Sequence, residues 1–317
     1  MPLHAVEKRR NIMVGLPQIS IITVLCGNNV DFMGKCLVSL IENTGYSNCE
    51  FIIVSDSDAE MRNFISQIGE YNPSVKCIFR GSRHSNASNR NLGALHADKN
   101  SKYLVFTDSD VLYSNGVWLE RLVRIAEQHS DIGIIGGTDD QTCWGHCCFV
   151  DDNSGVLVNV LLACPAIPDF PLELMIIPGC NMLMRRDVFS LVGGWDEGFS
   201  PVYGEDIDLC LRSILAGYRV FGMYNAGVRH LYRNSNENNS CELVGSEDSR
   251  WHLNLAAMKR LALKYRGILP SAARGSHQEW IESINQMRGS GKPRLTNLEN
   301  LPPTMVEGVI NPLYTDT

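Results

Sequence analysis

Two groups of carboxylates stand out by type and spacing. The first closes the run Leu104-Val-Phe-Thr-Asp108-Ser-Asp110, an apolar segment that delivers two acids at its end. Alternate residues of a strand face the same way, so Asp108 and Asp110 can share one site and hold a hard divalent cation through oxygen ligands. The plain alternative is a strand-end turn in which an aspartate caps backbone amides, and a lone Asp-x-Asp fits that equally well. The second group lies in Gly193-Gly-Trp195-Asp-Glu-Gly-Phe199-Ser-Pro-Val-Tyr203-Gly-Glu205-Asp206-Ile-Asp-Leu-Cys-Leu-Arg212. Here a glycine-rich turn with aromatics expected to be exposed leads to acids that open an amphipathic helix, with Ile207, Leu211 and Leu215 along one face. Acids suit a helix N-terminus, so Glu205, Asp206 and Asp208 would serve as capping charges on the simplest reading. Three acids beside aromatics and glycines exceed what capping requires. Adjacent carboxylates also raise one another's pKa, which suits a general base.

The elements that must position these acids follow from periodicity. Short β-branched runs at Ile19 to Leu25, Phe51 to Ser55, Val75 to Phe79, Tyr103 to Thr107 and Ile132 to Ile135 alternate with helical patterns. That alternation predicts βαβ units and a mainly parallel sheet with helices on its faces. Phe32, Cys36, Leu40 and Ile41 recur at helical spacing, and Asn43, Thr44 and Gly45 close that helix; others are expected at Ala59 to Ile68, Asn86 to Ala97 and Gly116 to Gln128. Ligands bind beyond the carboxyl ends of strands in such sheets, which is where the Asp108 pair falls. From residue 137 through Pro178 the sequence is irregular and punctuated by Pro and Gly, which predicts a mixed sheet with long loops. A helix is expected at Ile207 to Ala216, strands at Arg219 to Met223 and Gly227 to Leu231, and a mobile polar loop from Asn234 to Asn239. A last helix is expected to start at Ser246 and run through Trp251, Leu255, Met258 and Leu261 to Tyr265. The resulting organisation is an N-terminal arm (1–18), a nucleotide-binding half (19–136), an acceptor-side catalytic half (137–232), a loop and helical region (233–288) and an extended tail (289–317).

Composition narrows the field. The 317 residues carry a formal charge of −7 and show no clustered Lys and Arg, which argues against a nucleic-acid surface. A hydrophobic fraction of 44% with 20% charged residues is that of a globular chain. Apolar stretches such as Val156 to Ile167 are broken by Asn159 and Pro165, so no transmembrane segment is expected. The first 18 residues lack the apolar core and cleavage site of a signal peptide. Eleven scattered cysteines suit reduced, buried thiols and a cytoplasmic protein. The run Cys143-Trp-Gly-His146-Cys147-Cys148 has zinc-binding residue types but no second pair at finger-like spacing, so a structural role is favoured.

Taken together the motifs resemble the GT-A glycosyltransferases, most closely the mostly inverting family 2. The resemblance spans the first strand to about residue 232. It rests on Ser39-Leu-Ile-Glu-Asn-Thr44, Asp56 after the second strand, Ser88-Asn-Arg90-Asn91-Leu-Gly93, Asp108-Ser-Asp110, the Gly-Trp-Asp-Glu-Gly-Phe element, Glu205-Asp206 and Val228-Arg-His230. It implies an α/β GT-A fold with a smaller mixed acceptor-side region, and transfer of a sugar from a nucleotide diphosphate sugar, expected to be a UDP-sugar, to a glycan or other hydroxyl acceptor. Carried over by position, Asp56, Arg90, Asn91, Asp108 and Ser109 would bind the donor. Asp110 and His230 would hold Mn²⁺ or Mg²⁺, Asp206 (less readily Glu205) would be the base, and Trp195 and Tyr203 would either face the acceptor or pack the turn. The family's usual Pro-Thr-Tyr-Asn after the first strand is replaced by Val24-Leu25-Cys26-Gly27, in the segment that lines the base pocket. Two rivals remain at this stage. Thr107-Asp-Ser-Asp-Val-Leu112 also resembles the aspartate nucleophile motif of haloacid-dehalogenase-type phosphatases, and a silent nucleotide-sugar-binding module would keep the same pocket.

Overall fold

The computed structural model describes residues 15–27, 29–139, 143–163, 171–223, 227–231, 247–269 and 306–308. Most of the expected N-terminal arm, the polar loop 234–239, the helix start at Ser246 and most of the expected tail lie outside the described residues. So do the side chains of the Cys143 run except Cys148, which is buried.

The first half builds as its periodicity predicts. Strands β1 (Ile19–Leu25), β2 (Cys49–Ser55), β3 (Val75–Phe79) and β4 (Tyr103–Asp108) pair in parallel, with helices α1 (Val30–Glu42), α2 (Ala59–Tyr71) and α3 (Asn86–His96) between them. Each helix has an N-cap side chain: Asn29 accepts from the Phe32 amide, Asp58 from Met61 and Ser85 from Ser88. After β4 come β5 (Val111–Tyr113), α4 (Trp118–Gln128) and β6 (Ile132–Gly136).

The second half departs from βαβ rhythm. It contains a hairpin of β7 (Cys143–Asp151) and β8 (Val156–Ala163), then β9 (Leu172–Leu174), β10 (Asn181–Arg185), α5 (Arg186–Val192), α6 (Glu205–Leu215), β11 (Arg219–Gly222), β12 (Val228–His230) and α7 (Glu247–Tyr265). Within the stretch expected to be an extended tail, β13 (Val306–Gly308) pairs antiparallel with β8. The helix bearing the second acid group starts at Glu205 rather than Ile207, so all three acids lie inside its first turn.

The main sheet has the order β3-β2-β1-β4-β10-β6-β11-β9. Strand β10 enters antiparallel between β4 and β6, and β9 closes the far edge antiparallel to β11. Strand alternation splits the core in two. Tyr103 and Val105 face α1, α2 and α4, while Leu104 and Phe106 face α3, α5, α6, α7 and the β7–β8 hairpin. Both faces are covered, which is why every residue of β1 is buried, Ser20 and Thr23 included. Helix α3 lies close against the sheet at Gly93, where a Cβ would come within 2.4 Å of Ile22 Cγ2. No helix among the described residues is long and apolar enough to cross a membrane.

Candidate active site

The chain leaves β1 in one direction to β2 and crosses to β4 on its other side, so a crevice opens at the carboxyl ends of these strands. Asp56 follows β2 and Asp108 ends β4, on either side of it.

Helix α3 supplies the wall between them. Three consecutive side chains fan out by about 100° each and engage three different elements. Asn89 donates from Nδ2 to Asp56 Oδ2 at 3.1 Å, and the same oxygen accepts the His84 amide at 2.9 Å. The other carboxylate oxygen of Asp56, Oδ1, is buried and has no protein partner among the described residues. An unmet buried acceptor costs about 1–3 kcal/mol, so this oxygen is available to a further hydrogen-bond donor.

Arg90 projects into the centre. Its Nη2 meets Asp108 Oδ1 at 2.6 Å and its Nη1 meets Glu205 Oε1 at 3.3 Å, while the guanidinium lies 4.5 Å from the Trp195 ring centroid. The backbone at Gly179 comes so close that a Cβ there would lie 2.9 Å from Arg90 Nη1. Burial alone would lower the Arg90 pKa. Asp108 and Glu205 more than offset it, so the side chain stays charged while only 2% exposed. Arg90 thus links the strand-end acids to the first turn of α6.

Asn91 turns the other way. It donates to Trp195 O at 2.9 Å and to Glu197 Oε1 at 2.9 Å, and accepts from the Trp195 amide at 2.9 Å. Its amide is committed to the Gly-Trp turn. Trp195 itself is 2% exposed and packs edge-on against Phe106 with centroids 5.0 Å apart. The expectation of an exposed aromatic is corrected here: the ring backs Arg90 instead of facing an acceptor. Tyr203 is half-buried against the core and sits at φ 79° just before α6, a left-handed conformation uncommon outside glycine. Ser109 lies half-buried between the two aspartates.

The metal-ligand types converge through a short ladder that sequence spacing does not announce. Strand β12 pairs antiparallel with β5, with Val111 opposite His230, and the Leu231 amide donates to Asp110 O at 2.9 Å. His230 Nε2 therefore lies 3.0 Å from Asp110 Oδ1, across 120 residues of sequence. Ligand atoms of Asp108, Asp110 and His230 all fall within 4.8 Å of one another. Two carboxylates and an imidazole are the donor set a hard or borderline divalent cation takes.

At the α6 turn the three acids separate by environment. Burial, then the charge of Asp206, raises the Glu205 pKa against the pull of Arg90, and Glu205 Oε2 has no partner among the described residues. Burial also raises Asp206, opposed by the Ile207 amide, by Arg90 and by the Gly179 amide, with amide contacts at 2.8 and 3.4 Å. Asp208 is fully buried and engaged at both oxygens, by Arg212 at 2.7 Å and by Lys264 at 2.6 Å and Tyr265 at 2.7 Å. An acceptor hydroxyl has no route to it.

Sequence reasoning named Asp56, Arg90, Asp108, Asp110, Glu205, Asp206 and His230, and the fold gathers them around this crevice. It missed Asn89 and His84, which hold Asp56. Asn89 stood in the Ser88-Asn-Arg90 run without a role, and His84 acts through its backbone, for which residue type gives no signal.

The strand order, the crevice and the acid pair at the end of β4 define a GT-A fold. Residues 20–146 match the model of Glycosyl transferase family 2. The O-antigen biosynthesis protein RfbC of Myxococcus xanthus is 25% identical over 221 residues, covering 65% of this chain and 16% of its own length. The chain spans about a quarter or less of the curated relatives it matches. Among solved structures, GalNAc-T7 with UDP, GalNAc and Mn²⁺ superposes with a TM-score of 0.55 at 18% identity, over 69% of this chain and 44% of that one. The mannosyltransferase PcManGT from Pyrobaculum calidifontis, with GDP-Man and Mn²⁺, gives 0.53 at 15% identity, over 83% of this chain and 70% of its own.

Proposed function

We propose that the chain transfers a hexose-type sugar from a nucleotide diphosphate donor, by preference a UDP-sugar, to a hydroxyl acceptor, with inversion at the anomeric carbon. The observation that carries this reading is the convergence of Asp108, Asp110 and His230 within 4.8 Å, joined through Arg90 to the Glu205–Asp206 turn. Asp110 and His230, with Asp108, would hold Mn²⁺ or Mg²⁺, whose charge neutralises the departing diphosphate. The manganese and sugar nucleotides named for the two structural neighbours are consistent with that assignment.

The chain's own residues take the remaining roles. Asp56 Oδ1 accepts the imide N–H of a uracil or thymine ring. Asp108, with Ser109 beside it, meets the ribose and diphosphate end of the donor, and Arg90 keeps Asp108 oriented. Asp206 removes the acceptor proton as the acceptor oxygen attacks the anomeric carbon from the face opposite the diphosphate; one base and no covalent intermediate give inversion. Asn91 and Trp195 act through Arg90 and the Gly-Trp turn, and Tyr203 borders the acceptor side. The buried thiols Cys36, Cys148, Cys180 and Cys210 would suit a reducing, cytoplasmic compartment.

The phosphatase rival fits less well. Its aspartate nucleophile belongs at the end of a first strand, whereas Asp108 ends the fourth and is held by Arg90. The test is a panel of nucleotide sugars assayed for nucleotide diphosphate release with Mn²⁺. Release from a UDP-sugar, stopped by excess chelator, is the expected result. Hydrolysis of simple phosphate esters with no release from any nucleotide sugar would overturn the reading, and nucleotide binding with no turnover would favour the silent module.

A further inference from the structure

Helix α7 lies beyond residues 20–146, yet it grips both elements that frame the proposed base. Lys264 Nζ lies 2.6 Å from Asp208 Oδ1 and 2.8 Å from Asp196 Oδ2, so one ammonium joins the first turn of α6 to the Gly-Trp turn. Tyr265 reinforces the α6 side, donating its hydroxyl to Asp208 Oδ1 at 2.7 Å. Arg260 reinforces the other, at 3.3 Å from Asp196 Oδ2 and with its guanidinium 4.9 Å from the Phe199 ring centroid. Arg212, one turn along α6, closes the set on Asp208 Oδ2 and reaches back to Val192 O at the end of α5. Asp208 is two residues from Asp206 and one turn of helix holds both, so whatever fixes Asp208 fixes the backbone from which Asp206 projects.

We propose that Lys264 and Tyr265 are positioning residues: they clamp Asp208 and Asp196 so that Asp206 is held at the correct distance and angle from the acceptor oxygen. The inference rests on the transferase reading for its kinetic consequence. Burial makes the clamp rigid. Asp208 has no solvent to turn to, and a buried carboxylate that loses one of its cations cannot re-solvate in place. Small errors in the placement of a reacting group cost rate and leave ligand binding untouched, which separates this role from general support of the fold.

The experiment uses the full chain and three variants, Lys264→Met, Lys264→Arg and Tyr265→Phe. Nucleotide affinity is read by calorimetry with uridine diphosphate and Mn²⁺. Turnover is read as uridine diphosphate release from UDP-glucose, UDP-galactose and UDP-N-acetylglucosamine, with water standing in for the acceptor hydroxyl. Lys264→Met should lower turnover at saturating donor by about tenfold or more while the uridine diphosphate affinity stays within about twofold, as expected when only alignment is lost. Lys264→Arg should restore most of the rate, and Tyr265→Phe should fall between. Equal losses of affinity and turnover, or no loss in soluble Lys264→Met, would overturn the clamp. If the wild type releases nothing from any of the three donors, the UDP-sugar preference fails, and amide exchange then decides the clamp. Faster exchange confined to residues 205–208 in Lys264→Met supports it, and unchanged exchange refutes it.

Discussion

The carboxyl end of β4 and the first turn of α6 each present acids to the same crevice, but they are held there by different means. At β4 the backbone does most of the work, with Arg90 added at Asp108. Parallel pairing to β1 fixes Asp108, the β5–β12 ladder brings His230 to Asp110, and the carboxylates stay partly open to solvent. At α6 side chains do it. Glu205 is pinned by Arg90, Asp208 by Arg212, Lys264 and Tyr265, and the turn that precedes the helix is tied to α3 through Asn91. Backbone ladders tolerate surface substitution, whereas a buried ion network fails when one partner goes, because the charge left behind is uncompensated. The proposed cation end is therefore expected to be robust and the proposed base end to depend on residues remote in sequence.

The largest expected effect breaks the two ends apart. Asp110→Ala should abolish turnover and Mn²⁺-supported uridine diphosphate binding together, since a cation loses a charged oxygen ligand. Asp206→Asn should lower turnover by roughly 10²-fold or more with nucleotide affinity unchanged, the usual order for losing a general base. Calorimetry alongside steady-state kinetics reads both, and a loss of affinity in Asp206→Asn at full saturated turnover would make that acid a binding residue.

A smaller effect sharpens the comparison at the base end. Burial raises the Asp206 pKa above the ordinary carboxylate range, and only the ionised form accepts a proton. Activity should then be absent at low pH and rise as pH climbs through that raised value. Glu205→Gln removes a neighbouring negative charge and releases Arg90 toward Asp206, so the acid limb of kcat/KM should move to lower pH. A limb that stays put would detach Asp206 from the rate.

The smallest effect is expected from an ion pair in the donor half that has no part in the site. Lys76, half exposed, meets Glu50 at 2.6 Å, but Glu50 also holds Ser20 and the Asp98 amide. Lys76→Met should cost no more than about 1 kcal/mol in urea unfolding. A loss well beyond that would mean that surface charge matters to this half as buried charge does to the other.

Much of the donor half was legible because its information is local. Short β-branched runs, helical spacings such as Phe32, Cys36 and Leu40, and the rule that ligands bind beyond the carboxyl ends of strands give the strands, the helices and the end of the sheet at which Asp108 emerges. The acids at 205, 206 and 208 were equally visible as residue types, but their roles were not. Asp206 borders the crevice and Asp208 is walled in by a helix more than fifty residues downstream, and nothing in the spacing of the three tells them apart. Trp195 was read as a surface aromatic, since a glycine-rich turn gives no periodicity from which burial can be judged. The pairing of β12 with β5, the insertion of β10 between β4 and β6 and the grip of α7 on α6 are contacts between segments far apart in the chain. Sequence alone determined the chemistry on offer and the half of the sheet that carries it. Only the tertiary structure decided which carboxylate is open, which is locked and which cation stands between them, because burial and partner distance belong to the packed chain and not to any segment of it.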